Sequence, residues 1–197
     1  MPAAPRATIP TLATLPLELT TARLRLRPPR ADDAAPMFAY VSDPALPVQM
    51  TWAAHTDIAE THDFIARQRA ATAANTDAFW VIELDGKLAG GIGLHNITWG
   101  YRALRQDRAI IGYWLATEHR RQGYMTEALA AVLHFAFATL GLHKIVISCF
   151  SENIGSRRVI EKTGFRFTGT LVDDIWRDGR WHDHLRYEMT VDEWTAR

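Results

Sequence analysis

Leucine and arginine alternate over residues 22–27, where Leu24 and Leu26 interleave with Arg23, Arg25 and Arg27. That two-residue period predicts a half-exposed strand, which Pro28-Pro29 stops. A short helix is expected from Asp32 and Asp33 through Met37, Phe38 and Val41, broken by Pro44 and Pro47. Thr56 stands as the N-cap of a second helix running to about residue 73, with Asp57 and Glu60 favourable in its first turn. Its inner side carries Ile58, Phe64 and Ile65.

The pattern then turns to strands. Residues 79–84 are rich in β-branched and aromatic side chains, Asp85-Gly86 is a two-residue hairpin signal, and 87–97 is the partner strand. Residues 109–115 are apolar on both faces, as a buried central strand should be. A long helix over 124–140 closes at Gly141, 145–150 is another buried strand, and a helix over 153–163 ends at Gly164. Residues 165–176 and 181–190 form a last hairpin about Asp178-Gly179. Strand, two helices, a strand meander, helix, strand, helix and hairpin describe an α/β domain on a mixed sheet.

Composition narrows the classes. A chain of 197 residues, 48% hydrophobic and 22% charged, suits one globular domain with a sizeable core. We expect a flexible arm over residues 1–17 and a single domain over 18–197. Zero formal net charge leaves no electrostatic footprint for nucleic acid or an anionic membrane. No apolar run approaches the ~18 residues of a membrane span, and the Ala-, Pro- and Thr-rich start does not read as a signal peptide. With Cys149 alone, no internal disulfide forms, and a cytoplasmic setting is expected.

The chemistry concentrates in residues 110–130, IIGYWLATEHRRQGYMTEALA. A buried strand ends, a basic loop with Gly123 follows, and a helix begins at once. Backbone N–H groups at such a helix start have no internal partner and lie at the positive end of the dipole, ready for a phosphate or pyrophosphate. Gly123 lets the backbone approach the anion, while Arg120 and Arg121 add charge. A plain solvated loop fits the spacing equally well.

This segment resembles the GNAT superfamily of acyl-CoA N-acyltransferases, whose pattern is Arg/Gln-x-x-Gly-x-Gly/Ala. Arg120-Arg121-Gln122-Gly123-Tyr124-Met125 fits except for Met125 in the small position. Asn153-Ile154-Gly155-Ser156 and Glu161-Lys162-Thr163-Gly164-Phe165 are similar to the superfamily's pantetheine-contacting helix and its end. Within it the chain looks most like the RimJ/RimL type, which acetylates N-terminal amines of ribosomal proteins. The residues that carry this are Ile111-Gly112-Tyr113-Trp114, Gly123-Tyr124-Met125-Thr126-Glu127-Ala128 and residues 178–184, Asp-Gly-Arg-Trp-His-Asp-His.

The resemblance implies a mostly antiparallel central sheet flanked by helices. It also implies acetyl-CoA as co-substrate, held by Trp114, Leu115, Ala116, Arg120, Arg121, Gln122, Gly123, Tyr124, Met125, Thr126, Asn153 and Ser156, with no metal. A neutral amine then attacks the thioester directly. The oxyanion donor is a main-chain N–H from a bulge near Trp114 or Leu115, where two central strands splay around the pantetheine arm. Ser156 is the candidate acid for the departing thiolate, because Ile160 stands where many members carry Tyr.

A base must take the amine's proton. At pH 7 about a tenth of an α-amine is neutral against about one in 2,500 of a lysine amine, a cost of ~1.4 versus ~4.6 kcal/mol. An enzyme for α-amines therefore needs only a weak base. With a two-residue turn at Asp178-Gly179, Trp176 faces Trp181 and Asp174 faces Asp183, and opposed carboxylates would raise one pKa. A bulge would swap the faces. His95 is a further candidate, since Ile110 replaces an acid that many relatives carry.

Cys149 reads as a small core residue, His182 and His184 have no Cys/His cluster to make a metal site, and Gly90-Gly91-Ile92-Gly93 lies inside a strand rather than before a helix. The expected partner is an amine, ribosomal-protein N-termini included, and the protein is a monomer or homodimer. Acetylation of a small-molecule amine and non-catalytic acyl-CoA binding are the competing functions. A peptide enzyme should have an open groove between the last hairpin and residues 44–60, and a small-molecule enzyme a closed one.

Overall fold

The computed structural model describes residues 8–101 and 104–197. In chain order the elements are β1 Leu19–Thr20, β2 Leu24–Arg27, α1 Ala34–Val41, α2 Ile58–Ala73, β3 Ala78–Leu84, β4 Lys87–Tyr101, β5 Leu104–Leu115, α3 Tyr124–His134, β6 Lys144–Phe150, α4 Ile154–Lys162, β7 Arg166–Arg177, β8 Arg180–Thr190 and α5 Val191–Thr195. The eight strands form one sheet in the order β1-β2-β3-β4-β5-β6-β8-β7. Only β5 and β6 run parallel, because α3 carries the chain back between them.

Local chemistry sets these boundaries. Asp85 and Gly86, at φ 51° and 74°, turn β3 into β4, and Asp178 and Gly179, at φ 50° and 79°, turn β7 into β8. The N-cap of α2 is Asp57, whose carboxylate accepts from the Ala59 N–H, and not Thr56, whose hydroxyl instead donates to Glu60. The helix from Tyr124 passes into a π-turn over Phe135–Thr139 before Gly141 ends it at φ 78°. Thr190 and Glu193 form a capping box that starts α5.

Two cores sandwich the sheet. Leu26, Ile92, Leu94, Ile111 and Leu115 pack with Leu129, Val132 and Leu133 of α3. Phe79, Val81 and Trp114 pack on the other face with Met37 of α1 and Ile65 of α2. Each such aliphatic side chain contributes about 1.5–3 kcal/mol by leaving water. The described part of the expected flexible arm belongs to the first core: Leu12 is fully buried, its N–H donates to Asn75, and Trp80 donates to the Leu17 carbonyl. Leu12 and these hydrogen bonds tie residues 12–17 to the domain; residues 1–7 lie outside the described residues.

Candidate active site

Past the end of β5, Arg121 at φ 63° and Gly123 at φ 83° take left-handed backbone and curl the loop at the start of α3. The helix has no side-chain cap there, so its first N–H groups remain for an anion. Arg120 donates to the Leu115 carbonyl at 3.2 Å, which ties the loop to the strand end. Met125 is buried at 6% exposure. Its side chain thus lies in the core, and the departure from a small residue leaves the outer face of the loop open.

Arg23 supports this loop from β2's side. Its guanidinium donates to the Gln122 carbonyl, stacks 4.4 Å from the Tyr124 ring centre and pairs with Glu127 at 2.6 Å. Burial would raise the Glu127 carboxyl, but the Thr21 hydroxyl and Arg23 hold it below the usual carboxylate range. A cavity of about 580 Å³ lies beside Arg23 and Tyr124, off the axis between β5 and β6.

The central strands separate where the resemblance places the coenzyme arm. Pairing of β5 with β6 stops at Ile111–Ile147, although β5 continues to Leu115 and β6 to Phe150. Strand alternation is fixed by the Ala116 N–H, which donates to the Ala89 carbonyl. It turns the N–H groups of Tyr113 and Leu115 toward the gap and that of Trp114 toward Gly91 of β4. The expected bulge is absent at this point: β5 pairs with β4 in unbroken register from Ile110 to Leu115. The N–H groups are released by the departure of β6, and Trp114 is excluded as donor.

On the α3 side of the gap, the Tyr113 hydroxyl lies 2.9 Å from the Ser156 hydroxyl. The Ser156 N–H in turn donates to Asn153, the N-cap of α4. Burial raises the Tyr113 hydroxyl above the ordinary tyrosine range, and pushes the nearby Cys149 thiol up to about 11. Both stay protonated at neutral pH, so Cys149 is no nucleophile there. Ile160 is fully buried, so the position that resembles an acid serves packing.

The opposite face carries the residues that the sequence offers for the acceptor side. Across it, β4 contributes His95, β5 Ile110, and β8 His182 and His184. Ile110 and Ser148 are exposed, so this face opens to solvent beside His95. The far end is strapped. Arg177 donates to the Met50 and Trp52 carbonyls, the Gln49 side chain donates to the Glu152 carbonyl, and the Asn153 side chain donates to the Gln49 carbonyl.

The expected opposition of Asp174 and Asp183 does not form. Trp176 faces Trp181, but between Ile175–His182 and Leu171–His184 β7 advances four residues while β8 advances two. Asp173 sits at φ 51° in this bulge, and its N–H donates to the Asp183 carboxylate at 2.9 Å. Asp183 therefore fixes the bulge, and Asp174 turns to His184, 3.3 Å from its Nδ1. Burial lowers the His184 pKa, Asp174 partly offsets that, and His182 adds to the lowering. Asp77, which pairs with His95, lies outside every segment that carries the resemblance, whereas Tyr113 and His184 lie within such segments without their partners being readable there. Among the described residues no group of three or more His, Cys, Asp or Glu is arranged to hold a metal ion, and no helix is long and apolar enough to cross a membrane.

A family model described as acetyltransferase (GNAT) domain matches residues 23–166. The chain belongs to the GNAT family. It is 40% identical over 100 residues to the probable N-acetyltransferase YjcK of Bacillus subtilis (strain 168), covering 51% of this chain and 53% of that protein. It is 29% identical over 85 residues to the [ribosomal protein uS5]-alanine N-acetyltransferase of Escherichia coli (strain K12), covering 43% and 44%. The matched stretches thus span about half the length of these curated relatives. Mycobacterium smegmatis RimJ, solved in complex with CoA-disulfide, superposes with a TM-score of 0.74 at 33% identity over 86% of this chain and 83% of that one. The resemblance to the RimJ/RimL type stands on these relatives.

Proposed function

We propose that this protein is an acetyl-CoA-dependent N-acetyltransferase whose acceptor is an α-amine at the N-terminus of a peptide or protein, ribosomal proteins included, acting in the cytoplasm. The carrying observation is the gap between β5 and β6, with an anion-binding helix start on one side and an open polar face on the other. The loop from Arg120 to Gly123, with the start of α3 through Thr126, holds the pyrophosphate. Residues 114–116 line the arm, and Asn153 and Ser156 meet it from α4. CoA in the RimJ relative supports this coenzyme.

In this reading the amine lone pair attacks the thioester carbon, and an N–H of β5 that faces the gap receives the oxyanion. The C–S bond breaks, and the thiolate takes a proton at the Tyr113–Ser156 pair or directly from solvent, being acidic enough to leave unaided.

The strap at Met50 and Trp52 favours a second reading, a small-molecule amine, because it narrows the groove between the last hairpin and residues 44–60. Exposure of Ile110 and Ser148 leaves an end-on route for a peptide terminus. Free-thiol release should therefore be followed with peptides beginning Ala, Ser or Met beside polyamines and aminoglycosides. Turnover of the peptides supports the proposal; exclusive turnover of a small amine overturns the peptide acceptor. Arg120→Glu with Gly123→Asp should abolish acetyl-CoA binding in calorimetry, and unchanged affinity would remove the pyrophosphate assignment.

A further inference from the structure

Two histidines on the acceptor face are each backed by an aspartate, and their exposure separates them. His184 has its Nδ1 beside Asp174, but its Nε2 is buried with no hydrogen-bond partner and its ring lies edge-on to Phe150. A solvent-borne amine cannot reach that atom. The His95 side chain is 31% exposed, and its Nδ1 lies 3.2 Å from the Asp77 carboxylate.

Sheet register builds the His95 arrangement. Ala78 pairs with Leu94, so the next row places Asp77, just before β3, against His95 on β4. Asp77 also accepts from the Asn96 N–H, which fixes its carboxylate. The far edge of the ring lies over two glycines. A β-carbon on Gly93 would meet His95 Nε2 at 2.7 Å, and one on Gly112 would meet it at 3.6 Å. Gly112 is the first β5 residue past the last row paired with β6, and the Tyr113 N–H follows it into the gap. The free imidazole nitrogen therefore lies at the apex of the splayed strands, beside an oxyanion donor.

We propose that His95 is the catalytic base for the acceptor amine and that Asp77 is its positioning residue, an assignment that rests on the N-acetyltransferase reading above. With Nδ1–H directed at Asp77, Nε2 carries the lone pair. It takes one proton from the arriving ammonium, and Asp77 stabilises the imidazolium, which then loses that proton to solvent. The neutral amine forms the new N–C bond, the C–S bond breaks with its electron pair on sulfur, and a second amine proton balances the thiolate. Asp77 is the one ionisable partner of His95 among the described residues; Gly93 and Gly112, which lie beneath the ring, and Phe79 beside Gly93 carry no charge.

The test compares wild type, His95→Ala, His95→Gln and Asp77→Asn with an accepted amine. We expect His95→Ala and His95→Gln to lower kcat about 100-fold at pH 7, and Asp77→Asn roughly 10-fold, with acetyl-CoA affinity in calorimetry unchanged. The deficit should shrink as pH rises to about 9.5, where the amine is already neutral, and Asp77→Glu should recover part of it. Wild-type kcat in both His95 variants, or a deficit constant with pH, overturns the base assignment and leaves the acetyltransferase reading intact. Absence of turnover by the wild-type protein with every amine overturns that reading and this proposal with it. Nitrogen NMR of His95 should show the Nδ1–H form in wild type and its loss in Asp77→Asn; the other tautomer in wild type overturns the positioning role.

Discussion

The hydroxyls of Tyr113 and Ser156 stand 2.9 Å apart and join β5 to the first turn of α4 across the gap that the two parallel strands leave open. The pair is local to neither strand nor helix. The Tyr113 side chain leaves the sheet on the α3 side, just past the last row in which β5 pairs with β6, and meets α4 there. Ser156 and Tyr113 each fall in a segment that carries the resemblance; that they pair is legible only in three dimensions.

Ser156→Ala and Tyr113→Phe should each lower kcat roughly 10-fold, and the double variant should lose little more, since both singles remove one shared hydrogen bond. Because burial raises the Tyr113 hydroxyl above its ordinary range, the pair should stay protonated through pH 9. Steady-state thiol release from pH 7 to 9 checks this; wild-type rates in both variants would remove the pair from the reaction.

Cys149 lies near the same hydroxyls, 6% exposed, with its thiol pushed up to about 11 by burial. The thiolate is the reactive form. Native protein should therefore resist iodoacetamide at pH 8 while denaturant-unfolded protein reacts at the rate of a free thiol, as mass spectrometry would show. The sign for stability follows: the folded pKa exceeds the unfolded value, so this contribution is intact below about pH 8.5 and is lost as pH rises toward 11. Cys149→Ala should flatten that part of the alkaline Tm decline.

Asp183 should act through the hairpin and not through the proton. Its carboxylate accepts from the Asp173 N–H at 2.9 Å, and Asp173 is exposed, so water replaces the bond in part. Asp183→Ala should cost about 1 kcal/mol, measured by denaturant unfolding. It should also lower turnover modestly, by loosening the bulge that shapes the last hairpin beside the acceptor face. Asp183→Asn keeps an acceptor oxygen and should retain most of the activity. A loss of turnover in Asp183→Asn as large as in Asp183→Ala would restore it as a base.

What the sequence discloses here is whatever depends on neighbours in the chain. Asp85-Gly86, Asp178-Gly179, Gly123, Gly141 and Gly164 all take the left-handed backbone that their turn positions require. The anion loop is legible for the same reason. The acceptor side depends on register, which no local pattern fixes: the bulge between Leu171 and Ile175 moves Asp174 from Asp183 to His184. Asp77 meets His95 only because β3 and β4 align Ala78 with Leu94. Leu12 is hidden similarly, since Ile9, Leu12 and Leu15 stand in a stretch that Pro10 interrupts and Pro16 ends, too short to predict which of them is buried.

Burial of His184 beside this bulge is expected to contribute to the loss of stability in acid. Burial lowers the His184 pKa below the ordinary imidazole value, outweighing the opposing pull of Asp174, while His182 adds to the lowering. A histidine that is neutral when folded but free to protonate when unfolded contributes stability above about pH 6.5 and loses it as pH falls. Glu127, held below the carboxylate range by Thr21 and Arg23, has the same sign at lower pH, from about 4.3 downward. Two separable acid steps are therefore expected in a thermal series from pH 7.5 to 3. His184→Gln should reduce the first and leave the second, and Glu127→Gln the reverse. An unchanged first step in His184→Gln would mean that another histidine sets it.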